Sequence, residues 1–211
     1  MEESVSKKKI ADISAFKQQC RETSYHLRQA DFSKAALGGA MLCGDVDYPD
    51  LTLETPRFIE TDLRLAHCLG WKCRNGIFED SLCAGARFYR CDFIDVTFNR
   101  VVYFESGVPL LPTQFIASQL HFADFSGGNL SHVTFDGCAL EGVDFKDCDL
   151  RHARFLDCDL KGAEFKHASL DGVQLNNSKL EAGQLSAAEA DDWTTVDVSG
   201  TGMTLAALRS G

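Results

Sequence analysis

The chain has 211 residues, 45% of them hydrophobic and 25% charged, with a formal net charge of −10. That composition fits one folded domain large enough to bury a core. The acidic balance opposes direct binding to nucleic acid phosphate, and no run approaches the ~18 apolar residues needed to span a bilayer.

In chain order, residues 1–27 come first, with a sparse apolar stripe of Ile10, Ile13, Phe16 and Cys20 at helical spacing. Met1 to Leu27 lacks the apolar core of a secretory signal, so a cytoplasmic location is expected. The stripe predicts a short helix that covers one end of whatever follows.

From residue 28 to 185 a large residue recurs every five positions. Phe32, Leu37 and Leu42 keep one phase; Leu53, Phe58, Leu63, Cys68, Cys73, Phe78, Cys83, Phe88, Phe93, Phe98 and Tyr103 keep a second. A third phase opens at Phe115 and runs unbroken to Leu185, alternating Phe and Leu as far as Leu170. Two places before each of these later residues stands Ala, Gly, Ser, Thr, Cys or Val.

A period of five fits neither a helix, which rotates by ~140° over five residues, nor a strand, which reverses its face. The chain must turn a corner in each unit, and corners at fixed length generate a coil whose units bury their large residues against neighbouring coils. Because Phe recurs every ten residues, a three-sided coil would stack Phe on Leu. A four-sided coil stacks Phe115, Phe135 and Phe155 on one side, with Phe125, Phe145 and Phe165 opposite. The small companions then fit the space left beside each large inward group.

Two register breaks, at 43–52 and 104–114, interrupt the coil. The step from Leu42 to Leu53 is eleven residues and that from Tyr103 to Phe115 is twelve, where ten would keep phase. One extra residue at the first break allows a bulge or a loop; two at the second, between Pro109 and Pro112, predict a loop. The candidate contacts are Asp45, Asp47, Tyr48 and Asp50 at the first break, and Glu105, Val108, Leu110 and Leu111 at the second. From Cys43 to Asp62 six acids face one base, Arg57.

The nine cysteines are odd in number and mostly fall in register, which predicts buried reduced thiols. Cys68, Cys73 and Cys83 with His67 lack the paired spacing of a zinc site, and no cofactor is expected. Residues 186–211 follow the last repeat. Ser186-Ala-Ala-Glu189 reads as a capping box opening a short helix, and Met203 to Arg209 looks helical again. Catalysis is not expected, since polar residues radiate outward and no cleft forms. His132 and His152 stack on an exposed wall.

The units Ala-Asp-Phe-Ser-Gly at 123–127, Cys-Asp-Leu-Arg-His at 148–152, Cys-Asp-Leu-Lys-Gly at 158–162 and Ala-Glu-Phe-Lys-His at 163–167 closely resemble the pentapeptide repeat family. The resemblance implies an all-β fold, a right-handed quadrilateral β-helix with short helical terminal segments. The two breaks and the tail further resemble the Qnr-type branch, which protects DNA gyrase and topoisomerase IV from quinolones. That likeness implies a DNA-mimicking protein that binds a type II topoisomerase, and a homodimer formed through the tail, with Met203, Leu205 and Leu208 as candidate contacts. The alternative is a general interaction scaffold or a secreted bacterial effector with an unrelated protein target.

Overall fold

The computed structural model describes residues 9–43, 51–103 and 112–210. They form a four-walled parallel β-helix. The first wall is a six-stranded sheet of β2 (Met41–Cys43), β5 (His67–Leu69), β8 (Arg87–Tyr89), β11 (Gln114–Ile116), β12 (Thr134–Asp136) and β13 (Arg154–Leu156). The second wall contains β1 (His26–Arg28), β3 (Leu51–Glu54), β6 (Trp71–Arg74) and β9 (Asp92–Ile94). The third contains β4 (Arg57–Ile59), β7 (Ile77–Glu79) and β10 (Thr97–Asn99). The fourth is built from single bridges such as Asp62 to Leu82 and Asp149 to Ser169.

Partners on a wall stand 20 residues apart where the coil is regular, as with Phe115, Phe135 and Phe155. Their rings stack at 5.1 and 5.0 Å. Phe125, Phe145 and Phe165 stack on the third wall at 5.6 and 5.4 Å. Rings from these opposite walls meet edge to face, Phe125 and Phe135 at 6.0 Å and 83°, the geometry that aromatic quadrupoles favour. The third-wall ladder also reaches back through Phe98, Phe78 and Phe58 to Phe32, across both breaks.

Pairing across the breaks corrects the expected length of the insertions. Leu42 pairs with Cys68, 26 residues on, and Phe88 with Phe115, 27 residues on. The inserts therefore amount to six and seven residues, not one and two. A count in fives cannot tell one side plus six from two sides plus one; only the strand pairing can. A one-residue bulge at the first break is excluded.

Each corner is made by the residue two places after the central one, which takes a left-handed conformation: Asn75, Asp80, Asp95, His132, Asp147, His152 and Asp157 all have φ between 50° and 62°. Asn, Asp and His tolerate this region better than most side chains. A second device tightens several units. In these an Asp or Asn precedes the central residue and its Oδ1 accepts the N–H of the residue after it, as Asp124 does from Ser126 at 2.9 Å and Asp144 from Lys146 at 2.8 Å, whereas Asp92 lies in strand β9 without that bond. This Asx contact tightens the side into a turn. First-wall units carry Gln114, Thr134 or Arg154 at that place, followed by Ile116, Asp136 or Leu156, and stay extended.

The small companions also satisfy carbonyls. Cys148 Sγ–H donates to Phe125 O at 3.0 Å, Ser178 Oγ–H to Phe155 O at 3.1 Å and Ser81 Oγ–H to Phe58 O at 2.9 Å. Each gives an inward carbonyl a side-chain donor.

The N-terminal helix α1 (Ile13–Glu22) is capped by Asp12, whose side chain accepts from Ala15 N–H. Phe16 and Cys20 are buried against the first coil, and the Phe16 ring lies 6.1 Å from Phe32. At the other end the ladder continues past Leu185, since Glu189 bridges Ser169 and Asp197 bridges Gln174. Ser186 to Glu189 forms no helix, contrary to its capping-box pattern. Glu189 N–H instead donates to Ala168 O at 2.8 Å, and Leu170 N–H donates to Glu189 O. Helix α2 (Leu205–Arg209) then closes the end, with Leu208 fully buried.

Candidate interaction surface

With the central Phe, Leu, Cys and Tyr residues packed inside, the side chains free to meet other molecules stand on the walls and corners. Ion pairs run along the rod between successive coils. Arg100 joins Asp80 at 2.7 Å and Glu79 at 2.8 Å, Lys179 joins Asp159 at 2.9 Å, and Lys146 contacts Glu164. Pairing and hydrogen bonds to the charged form hold several carboxyls below their usual range. Asp149 is lowered by its bond to Arg151, and Asp62 by its bond to Arg64. These exposed pairs contribute little stability, but they cancel charge locally.

The acidic excess is uneven. Residues 112–211 hold 15 acids against 7 Lys or Arg, whereas residues 1–111 hold 16 against 14. The C-terminal half therefore carries most of the negative charge. In the stretch around the first break, the three acids within the described residues are each paired: Glu54 with Arg28, Glu60 with Lys34 and Asp62 with Arg64.

Asp45, Asp47, Tyr48, Asp50, Glu105, Val108, Leu110 and Leu111 lie outside the described residues. Their attachment points do not. The first insert leaves the coil after Cys43 and returns at Leu51, on the edge between first and second walls; the second lies between Tyr103 and Gln114, on the edge between fourth and first. The two breaks therefore flank the same wall, from opposite edges.

Of the tail residues, Leu208 is buried in the chain's own core, and Met203 and Leu205 pack against that core while partly exposed. Leu185 N–H donates to Leu208 O at 2.8 Å. His132 and His152 stack at 5.0 Å on consecutive corners of the fourth wall. Cys68, Cys73 and Cys83 point inward and are fully buried, whereas His67 is exposed on the first wall, so the four do not converge. Among the described residues no group of three or more His, Cys, Asp or Glu is placed to hold a metal ion. Burial pushes the Cys20, Cys91 and Cys148 thiols up to about 12. No helix among the described residues is long and apolar enough to cross a membrane.

A solenoid of five-residue sides with Phe and Leu ladders is a pentapeptide repeat β-helix. In agreement, residues 110–185 match the family model of the pentapeptide repeat region. No curated protein matches it significantly. Among solved structures it is similar to a trypsin-treated variant of QnrB1, a plasmid-mediated fluoroquinolone resistance protein, at 19% identity over 80% of this chain and 83% of that one, with a TM-score of 0.43. It is also similar to HetL, a pentapeptide repeat protein involved in heterocyst differentiation regulation from the cyanobacterium Nostoc sp. strain PCC 7120. That identity is 17% over 90% of this chain and 94% of the other, with a TM-score of 0.30.

Several outward residues of the first wall escaped the sequence reading. Met41, His67 and Arg87 share one column and Cys43, Leu69 and Tyr89 the next. The signal was present, as apolar residues at outward positions 20 apart, Leu69 and Tyr89; the first insert hid only that Met41 and Cys43 share their wall.

Proposed function

We propose that this protein is a non-catalytic interaction rod that acts in the cytoplasm, most specifically as a DNA-mimicking protector or modulator of a type II topoisomerase, DNA gyrase or topoisomerase IV. The observation that supports this reading best is the acidic C-terminal half of a filled, narrow rod. A surface with that charge is repelled by phosphate and attracted to grooves that bind phosphate. The two inserts flank one wall, and the Qnr-type branch likewise carries two interruptions of its coil. Of the three tail residues, Met203 and Leu205 remain available to a second copy; Leu208 does not.

A gyrase supercoiling assay with ciprofloxacin tests the proposal. The protein at micromolar concentration should restore supercoiling or inhibit it, and deleting residues 104–110, seven residues that leave the register of Phe115 intact, should weaken the effect. No effect from either form removes the topoisomerase from the account. The pairing of Glu54, Glu60 and Asp62 with neighbouring bases favours the second reading, an interaction scaffold or secreted effector with an unrelated target, because it lowers the negative potential beside the first insert.

A further inference from the structure

On a chain of net charge −10, the N-terminal half of the first wall stands apart. Its outward residues form two columns. One runs Met41, His67, Arg87, Gln114 and the other Cys43, Leu69, Tyr89, Ile116, set by the pairing of β2, β5, β8 and β11. Among the described residues no acid stands on this wall before Asp136. Successive rungs are ~4.8 Å apart, so the second column is a continuous apolar strip beside a polar and basic one.

Exposure follows the same line. Six large hydrophobic residues are exposed in the described chain, and four of them are Met41 at 58%, Leu65 at 40%, Leu69 at 38% and Tyr89 at 39%. Leu65 stands on the corner entering this wall. The Arg90 guanidinium lies over the Tyr89 ring at 5.2 Å. At the N-terminal end the strip opens into a cavity of about 260 Å³ between α1 and β2, lined by Phe16, Lys17, Cys20, Arg21 and Met41 among others.

Some cations of the chain are held in ion pairs and others, such as Arg74, Lys161 and Lys166, have no carboxylate partner among the described residues; those beside this strip belong to the second group. Arg28, Lys34, Arg64, Arg100, Lys146, Arg151 and Lys179 each have a carboxylate partner. Lys17, Arg21 and Arg87 have no such partner among the described residues. Unpaired cations beside exposed apolar side chains, on an otherwise acidic protein, are complementary to a segment that is both acidic and apolar.

We infer that the first wall from Met41 to Ile116 is a docking surface for an acidic amphipathic segment of a partner protein, its apolar side chains over Leu69 and Tyr89 and its carboxylates toward Arg87, Lys17 and Arg21. The inference rests on the reading of this protein as an interaction rod. It does not depend on the topoisomerase being the partner, since the acidic segment is recognised by the wall's own outward residues.

Fluorescence anisotropy on the full chain tests it with two labelled peptides of about eight residues, one alternating Leu and Glu and the other Leu and Lys. The acidic peptide should bind about tenfold more tightly than the basic one, against the net charge of the protein. Arg87→Glu and Tyr89→Ala should each weaken it about fivefold or more, while Lys166→Glu, on the third wall, should change it less than about twofold. Both first-wall side chains point outward, so unchanged melting temperatures separate lost contact from lost folding. Equal or tighter binding of the basic peptide, or indifference to Arg87→Glu and Tyr89→Ala, overturns the inference. So does sedimentation showing dimers of the free protein that Arg87→Glu dissolves, since the occupant would then be a second copy. The supercoiling assay reads the topoisomerase proposal separately, so either can fail alone.

Discussion

The coil from Cys68 to Cys83 and the run from Phe115 to Leu175 solve one packing problem in two ways. In the later run every central residue is Phe or Leu and every companion is small, so each side contributes one large group to the interior. In the earlier coil three central residues are cysteines, and the missing volume comes from Trp71, a companion, which is buried to 1%. Its ring lies 5.6 Å from Phe58 and 6.3 Å from Phe88. Trp71 also takes over the companions' polar task, because its Nε1–H donates to Leu42 O at 2.8 Å. The comparison teaches that the fold requires a filled cross-section, and that a companion able to donate also satisfies a carbonyl. The fold does not require a large residue every fifth place.

Three substitutions sharpen that contrast, beginning with the largest expected effect. Trp71→Ala should cost about 3–5 kcal/mol, as should Phe145→Ala, through lost burial and an unfilled cavity. Adding Cys73→Leu to Trp71→Ala converts the early coil to the later pattern and should recover about 1–3 kcal/mol; denaturant unfolding of the single and double variants reads this directly. If the second change destabilises further, volume exchange is not what relates the two regions.

Ser178→Ala removes a buried donor to Phe155 O and an acceptor from Cys158 N–H at 3.1 Å. The expected loss is about 1–2 kcal/mol, and a neutral result would reduce the companions to space filling. Smallest is Lys146→Ala, next to Phe145 but outward, whose pairs with Asp144 and Glu164 are solvated. Its melting temperature should move by no more than about 2 °C. Equal shifts for Lys146→Ala and Phe145→Ala would show that the register is wrong.

Much of this architecture was legible in the residue pattern, and the failures have physical causes. Fifteen consecutive central residues from Phe115 to Leu185 leave little choice of fold, because stacking like on like selects four sides. The inserts were misjudged because a phase of five is blind to whole sides, so the third-wall ladder back to Phe32 could not be traced. Ser186 to Glu189 has a helix-start pattern, but an open coil end offers backbone groups that the segment pairs with instead. Trp71 was invisible as a core residue because it sits at a position where small side chains are the rule. The surface was least legible of all. Met41 joins Leu69, Arg87 and Tyr89 only through pairing across the first insert, and strand pairing is a non-local property.

The central claim is a sealed interior, and counting reactive thiols tests it most directly. Eight of the nine cysteines are buried and Cys43 is partly exposed. Under native conditions an aromatic disulfide reagent should label Cys43 alone, and all nine thiols should react after unfolding. Rapid labelling of several more cysteines in the folded protein, at Cys138, Cys148 or Cys158 in particular, would contradict the filled four-walled coil.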